Sequence, residues 1–229
     1  MPDLAGAVWP ELPDRPLLVV PLGSVEQHGH HLPLTTDTAV ATAVVAAADL
    51  GAALVAPALP YGASGEHEGF PGTVSLGTEA LTAVLVEYGR SACRWAGRLL
   101  VVNGHGGNLD ALRRAVPLLR TEGRDAAWFP CAVPDGDAHA GRTETALLLH
   151  VEPAAVRTDR AVAGVTTPVG ELLPRLRAEG VRGVSPTGVL GDPAGATAAE
   201  GARLLGDLAA RLTAAVAGWD VGGDGRLRG

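Results

Sequence analysis

Short apolar runs alternate with longer alanine- and leucine-rich stretches along this chain, an order that few architectures accept. The run Leu17, Leu18, Val19, Val20 sits between Pro16 and Pro21 and reads as a strand buried on both faces. Residues 53–56 and 99–102 repeat the pattern, and 126–133 does so more weakly. Helical stretches separate these runs. One begins at Thr36 or Asp37, either of which can cap it, and runs to Leu50 with Gly51 as its stop. A second spans 78–96, with Thr78 as cap and Glu79 in its first turn. A third opens near Asn108, and a short one covers 143–150. Residues 160–197 are irregular and rich in Gly and Pro, apart from a helix near 169–179; a long amphipathic helix covers 198–217. Strands alternating with helices predict an α/β fold, a mostly parallel sheet with helices on both faces.

Composition narrows what such a domain can do. The 229 residues suit one domain over 1–229 with a sizeable core, ending in a Gly- and Arg-rich tail, 221–229, expected to fray. Only 3% of residues are aromatic and none is Ile, so Ala, Val and Leu must build the core. The chain has no Lys, which excludes Schiff-base chemistry and a complete P-loop. The net charge is -7 and the arginines are scattered, so no nucleic-acid partner is expected. Cys93 and Cys131 make neither a disulfide framework nor a zinc-finger spacing and read as small hydrophobes. Residues 39–59 are apolar enough to raise a membrane span, but Asp49, Gly51 and Pro57 interrupt them, so no membrane partner is expected. With no charged leader before an apolar segment, the expected compartment is the cytoplasm.

In open parallel sheets, ligands bind beyond the carboxyl ends of the strands. Three polar clusters fall where that rule places them. After the first run come Glu26, Gln27, His28, His30 and His31, with Asp37 opening the next helix. In extended chain Glu26 and His28 share a side. Two carboxylates with an imidazole suit a divalent transition metal. After the third run come Asn103, Gly104, His105, Gly106, Gly107 and Asn108. The glycines bring backbone close to whatever His105 touches. His105 reads as a metal ligand, and Asn103 and Asn108 as residues that pin the turn. The third cluster holds His139, with Thr143 capping the short helix and Glu144 in its first turn. His139 is suited to carrying protons and Glu144 to supplying a further carboxylate. His150 is isolated and reads as an ordinary residue at a helix end.

These clusters together resemble the creatininase family of metal-dependent amidohydrolases. Gly23-Ser24-Val25-Glu26-Gln27-His28-Gly29 through Asp37 carries the most specific part of the resemblance, Asn103 to Asn108 the second, and His139 to Glu144 the third. It covers residues 8–217 in order. The resemblance implies a three-layer α/β/α domain, two adjacent divalent metals (Zn2+ or Fe2+, with Mn2+ as a further choice) and a ring-like homo-hexamer. It assigns Glu26 and His105 to one metal, His28 to the other, and Asp37 as the bridge. Creatininase itself has a metal-binding glutamate where Gly107 stands here. The second metal then needs another ligand, for which Glu144 is the expected residue, and creatinine becomes a poor candidate substrate.

The loop from Tyr61 to Thr73, with Ser64-Gly65-Glu66-His67-Glu68 at its centre, resembles one subgroup of the family more closely. That resemblance implies hydrolysis at the modified C-terminus of a small ribosomally made precursor peptide. The product would be a dipeptide formed from Val and Tyr, already decarboxylated and crosslinked. Two close metals would activate water at neutral pH and polarise the scissile carbonyl. His139 would pass a proton to the leaving amine, and His67 and Glu68 would contact substrate. Other readings stay open on the sequence: a family hydrolase of a cyclic amide or formamide, a non-catalytic metal-binding protein, or a nucleotide-binding domain using the turn after Val102.

Overall fold

The computed structural model describes residues 3–228. Its centre is a four-stranded, wholly parallel sheet of β1 (Leu17–Leu22), β2 (Leu54–Val55), β3 (Arg98–Asn103) and β4 (Ala126–Pro130), in the order β2-β1-β3-β4. β1 and β3 run side by side from Leu17 opposite Arg98 to Leu22 opposite Asn103, so their carboxyl ends finish together. That register sets the Glu26 and His105 loops next to each other.

Period-two alternation sends alternate residues of each strand into two separate cores. Val19, Leu100, Val102 and Phe129 face α1 (Thr36–Ala47), α4 (Arg142–Val151) and α6 (Ala198–Gly218). Leu18, Val20, Leu99, Val101 and Trp128 face α2 (Gly77–Ala92) and α3 (Leu109–Thr121). Burial on both faces is why the strands read as unbroken apolar runs rather than alternating ones. A third, small cluster of Leu172, Val181, Val184 and Leu190 seats α5 (Val169–Val184) beside the carboxyl ends of the strands. Three-layer α/β/α architecture and the parallel sheet are as expected.

Several boundaries differ from the sequence reading. α1 stops at Ala47, three residues before Leu50, because Asp49 turns the chain. Its Oδ1 accepts from Gly51 N at 3.1 Å while its own N–H donates to Thr213 at 2.9 Å. Neither Thr36 nor Asp37 caps that helix; Thr35 holds the cap position without a side-chain bond, and Asp37 lies inside the first turn. Thr78 likewise lies inside α2, behind Leu76 at the cap. Gly141, not Thr143, occupies the cap position of α4, and the Asp137 carboxylate accepts from the backbone N–H groups of Arg142 and Thr143. α5 extends beyond 179 by continuing past a kink at Gly180, whose φ is +67°.

The tail read as fraying is instead paired. β5 (Asp220–Val221) and β6 (Leu227–Arg228) form an antiparallel hairpin. Trp128 Nε1 donates to the Asp224 carbonyl at 3.0 Å, and Leu227 is buried. Gly229 lies outside the described residues. Cys93 and Cys131 are unpaired, half-buried, and packed against opposite cores. Among the described residues no helix is long and apolar enough to cross a membrane.

Candidate metal centre

Beyond the ends of β1 and β3 lies a cavity of about 880 Å3, with imidazoles and carboxylates at its floor. Glu26, His28, Asp37, His67, His105 and His139 are all buried there, at 7% exposure or less. Six titratable groups taken out of water together are costly unless they compensate one another or hold a cation.

Asp37 is the hinge of the cluster. Its place in the first turn of α1 aims both oxygens back at the strand ends. Oδ1 lies 3.1 Å from His28 Nε2, and Oδ2 lies 3.3 Å from His105 Nδ1. Gly104 allows this approach: a Cβ there would run into the Asp37 backbone carbonyl. Glu26 Oε2 accepts from Ser24 Oγ at 2.9 Å and lies 3.2 Å from His105 Nε2. Ser24 in turn hydrogen-bonds Ser64, tying the β1 loop to the 61–77 loop. Glu144 Oε2 lies 3.8 Å from His28 Nε2 and accepts from Ala140 N at 2.6 Å.

The predicted pinning asparagines do pin. Asn103 Nδ2 donates to the His105 carbonyl at 2.6 Å. Asn108 Nδ2 donates to the Gly23 carbonyl at 3.0 Å, and Asn108 Oδ1 accepts from Ala63 N at 2.8 Å. One side chain therefore joins the loops after β1 and β3 to the 61–77 loop.

Gln27 sets the tautomers of two imidazoles. Its Nε2 lies 3.0 Å from the Gly188 carbonyl and 2.9 Å from His67 Nδ1. The same nitrogen lies 3.0 Å from His139 Nε2, so its two hydrogens face three partners; donation to His67 Nδ1 leaves the His67 proton on Nε2, 3.2 Å from Glu26 Oε1. The Gln27 carbonyl accepts from His139 Nε2 at 2.7 Å. His139 Nδ1 is then the free lone pair, 3.7 Å from Glu26 Oε1.

Electrostatics show a site short of positive charge. Burial pushes the Glu26 carboxyl up to about 7, against the pull of His105. Burial opposes charge on His28, yet Asp37 and Glu144 raise it to about 10; His105 rises well above its ordinary value for the same kind of reason, with Glu26 and Asp37 overriding burial. Burial favours a protonated Asp37, but His28 and His105 hold its carboxyl far below the usual range. Burial raises the Glu144 carboxyl. By contrast, burial and then His105 lower His67 to about 3, and burial with His28 and His67 lowers His139 well below its ordinary value. Glu26, His28, His105 and Glu144 thus hold on to protons where a cation would sit, Asp37 stays ionised, and His67 and His139 stay neutral.

Buried polar atoms left without a hydrogen bond point the same way. Glu26 Oε1 and Asp37 Oδ2 are two of them, each with an imidazole nitrogen at 3.2 and 3.3 Å respectively but no aligned hydrogen bond. Donor atoms of Glu26, His28 and Asp37 lie within 4.8 Å of one another, as do those of Glu26, His67 and His139, and those of His28, His139 and Glu144. Clusters of imidazole and carboxylate at this spacing suit Zn, Fe or Mn.

The structure thus gathers Glu26, His28, Asp37, His105, His139 and Glu144 from all three sequence clusters. His67 joins them from the loop, buried against Glu26 and Gln27 in the cavity wall. Glu68 is exposed and does not line the cavity. His30 is exposed, and His31 is buried with Nε2 2.8 Å from Thr145 Oγ1. Sequence reasoning gave no role to Gln27 or Glu66. Glu66 Oε1 lies 3.5 Å from His105 Nε2. Gln27 lies inside the first cluster and Glu66 at the centre of the 61–73 loop, and that membership is the sequence signal that could have pointed to them.

Residues 6–216 match the creatininase family, described as creatinine amidohydrolase. The chain is 56% identical to the mycofactocin precursor peptide peptidase of Mycolicibacterium smegmatis, over 93% of this chain and 89% of that one. It is equally identical, 56%, to the mycofactocin precursor peptide peptidase of Mycobacterium tuberculosis, over 98% of this chain and 94% of that one. Among solved structures it is similar to a creatininase titled as the Mn form, with a TM-score of 0.74 and 26% identity over 95% of this chain and 98% of that one.

Proposed function

This chain belongs to the creatininase family, and on that premise we propose that it is a metal-dependent peptidase of mycofactocin maturation. It releases the modified C-terminal dipeptide, derived from Val and Tyr, from the precursor peptide. The observation that carries this reading is 56% identity, over nearly the whole chain, to peptidases of that name.

The residues fit two adjacent divalent ions, Zn2+ or Fe2+ with Mn2+ as an alternative, in one catalytic domain. Glu26 and His105 would hold one ion and His28 and Glu144 the other, with Asp37, whose two oxygens face His28 and His105, as the shared ligand. The unpartnered oxygens of Glu26 and Asp37 are the support for that placement. Bound metal supplies Lewis acidity for the amide carbonyl and a water acidic enough to ionise at neutral pH.

The remaining steps belong to this chain's side chains. His139 is neutral and its Nδ1 carries no hydrogen bond, so it would take the proton that the attacking water gives up and deliver it to the departing amine. The Gln27 carbonyl holds His139 in that tautomer through Nε2. His67 steadies Glu26 from the opposite side. Leu173 and Leu176 of α5 present an apolar wall to the cavity, suited to an apolar and aromatic peptide end.

A second reading keeps the site and changes the substrate to a cyclic amide or formamide. Metal-loaded protein offered crosslinked precursor peptide, creatinine and a simple formamide in separate reactions separates the two. Turnover of the peptide alone is the expected result; turnover of a small amide without the peptide favours the second reading. We place the enzyme in the cytoplasm, where two unpaired cysteines suit a reducing environment. We also propose a homo-oligomer, a hexamer in this family's manner. Trp9, 84% exposed beside Val8, supports an interface, and sedimentation velocity tests it.

A further inference from the structure

Glu66 is the one carboxylate beside His105 that no sequence cluster supplied. It stands on a single 3-10 turn, Gly65–His67, in the loop that Ser64 and Asn108 tie to the strand ends. Its Oε1 lies 3.5 Å from His105 Nε2, and Glu26 Oε2 lies 3.2 Å from the same nitrogen. Two carboxylates from different loops therefore converge on one imidazole nitrogen. Glu26 is fully buried, whereas the Glu66 side chain keeps 35% exposure and lines the cavity.

Gly107 explains how Glu66 gets there. A Cβ on Gly107 would fall 2.5 Å from Glu66 Oε1 and also collide with His105 Nε2 and the Ala63 carbonyl. Any side chain at 107 would need the space that the Glu66 carboxylate now fills. α5 backs this arrangement: Gly180, at φ +67°, lies so close to the Glu66 backbone carbonyl that a Cβ there would sit 3.1 Å from it. Arg182 also donates to the Gly69 carbonyl. The loop bearing Glu66 is thus held from below by Asn108 and from outside by α5.

We propose that Glu66 completes the metal centre, as a carboxylate ligand on the ion held by Glu26 and His105, in the space that Gly107 leaves free. This rests on the metal-centre reading above. In chemical terms a partly exposed carboxylate at the cavity wall adds negative charge to a divalent site without closing it to substrate.

The test is zinc affinity, measured by competition with a chromogenic chelator and independent of peptide cleavage. Zinc binding by the unmodified protein checks the metal-centre reading itself. Glu66→Gln is then expected to bind zinc at least tenfold more weakly, while Glu68→Gln, two residues away and outside the cavity, binds as the parent does. Glu66→Gln binding as tightly as the parent overturns the proposal, as does a raised KM with unchanged zinc affinity. Near-ultraviolet circular dichroism on each variant confirms that folding is intact before affinities are compared.

Discussion

Oδ1 of Asp37 lies 3.1 Å from Nε2 of His28, although the two residues come from different elements, a strand-end loop and a helix. The second oxygen, Oδ2, lies 3.3 Å from His105 Nδ1, so one carboxylate spans imidazoles from the loops after β1 and β3. Asp37→Ala is therefore expected to abolish peptide cleavage and to lower bound metal, read by elemental analysis of the purified variant. Full activity with unchanged metal content contradicts the bridging assignment.

His139 is the proton carrier in the proposed mechanism. Its Nε2 is committed to the Gln27 carbonyl at 2.7 Å, and burial keeps the ring neutral. His139→Ala should retain metal and lose kcat by about 10²–10⁴-fold, the usual span for a lost proton carrier. Loss of metal from this variant makes His139 a ligand instead, which its position among the donor groups around Glu26 also allows.

Gly104 is where backbone meets site. A Cβ at this position collides with the Asp37 carbonyl, which is fixed by the first turn of α1. Gly104→Ala is expected to cost about 1–3 kcal/mol of stability through overpacking and to weaken metal binding by displacing Asp37. Urea denaturation and metal titration on the same variant check both effects. An unchanged midpoint shows that the helix can retreat without loss.

Metal binding should release protons. The metal-free site holds Glu26 up to about 7 through burial, and holds His28 up to about 10 because Asp37 and Glu144 outweigh burial. Ligation requires ionised Glu26 and neutral His28, so each proton present must leave. The sign follows: as pH falls through 7, Glu26 becomes protonated and apparent affinity drops. Calorimetry at pH 7 in two buffers of different ionisation enthalpy should give unequal heats, corresponding to about one proton or more released per ion. Equal heats contradict the charge state derived for the site.

Much of this was legible in the chain itself because burial leaves a compositional mark. β1 and β3 had to be strands, since four or more apolar residues between prolines, or running into a glycine turn, leave few alternatives. The gathering of the candidate ligands was legible for a related reason: Glu26, His28 and His105 follow those strands directly, so strand register fixes their meeting. What sequence could not convey was long-range closure. Asp137 caps α4 from outside the helix, a contact that local propensity cannot see and that made Thr143 look like the cap. The tail looked mobile because Gly and Arg dominate it, yet Trp128 holds it through the Asp224 carbonyl, 96 residues away. Glu66 reaches His105 across 39 positions of sequence, and only the packed loop reveals it.

The most direct measurement is a mass spectrum of crosslinked precursor peptide after incubation with the protein as purified, with chelator, and with chelator followed by added Zn2+ or Fe2+. The account predicts release of the C-terminal dipeptide product by the first and third samples and none by the second. Intact peptide in all three, from folded protein shown to contain metal, contradicts the peptidase reading.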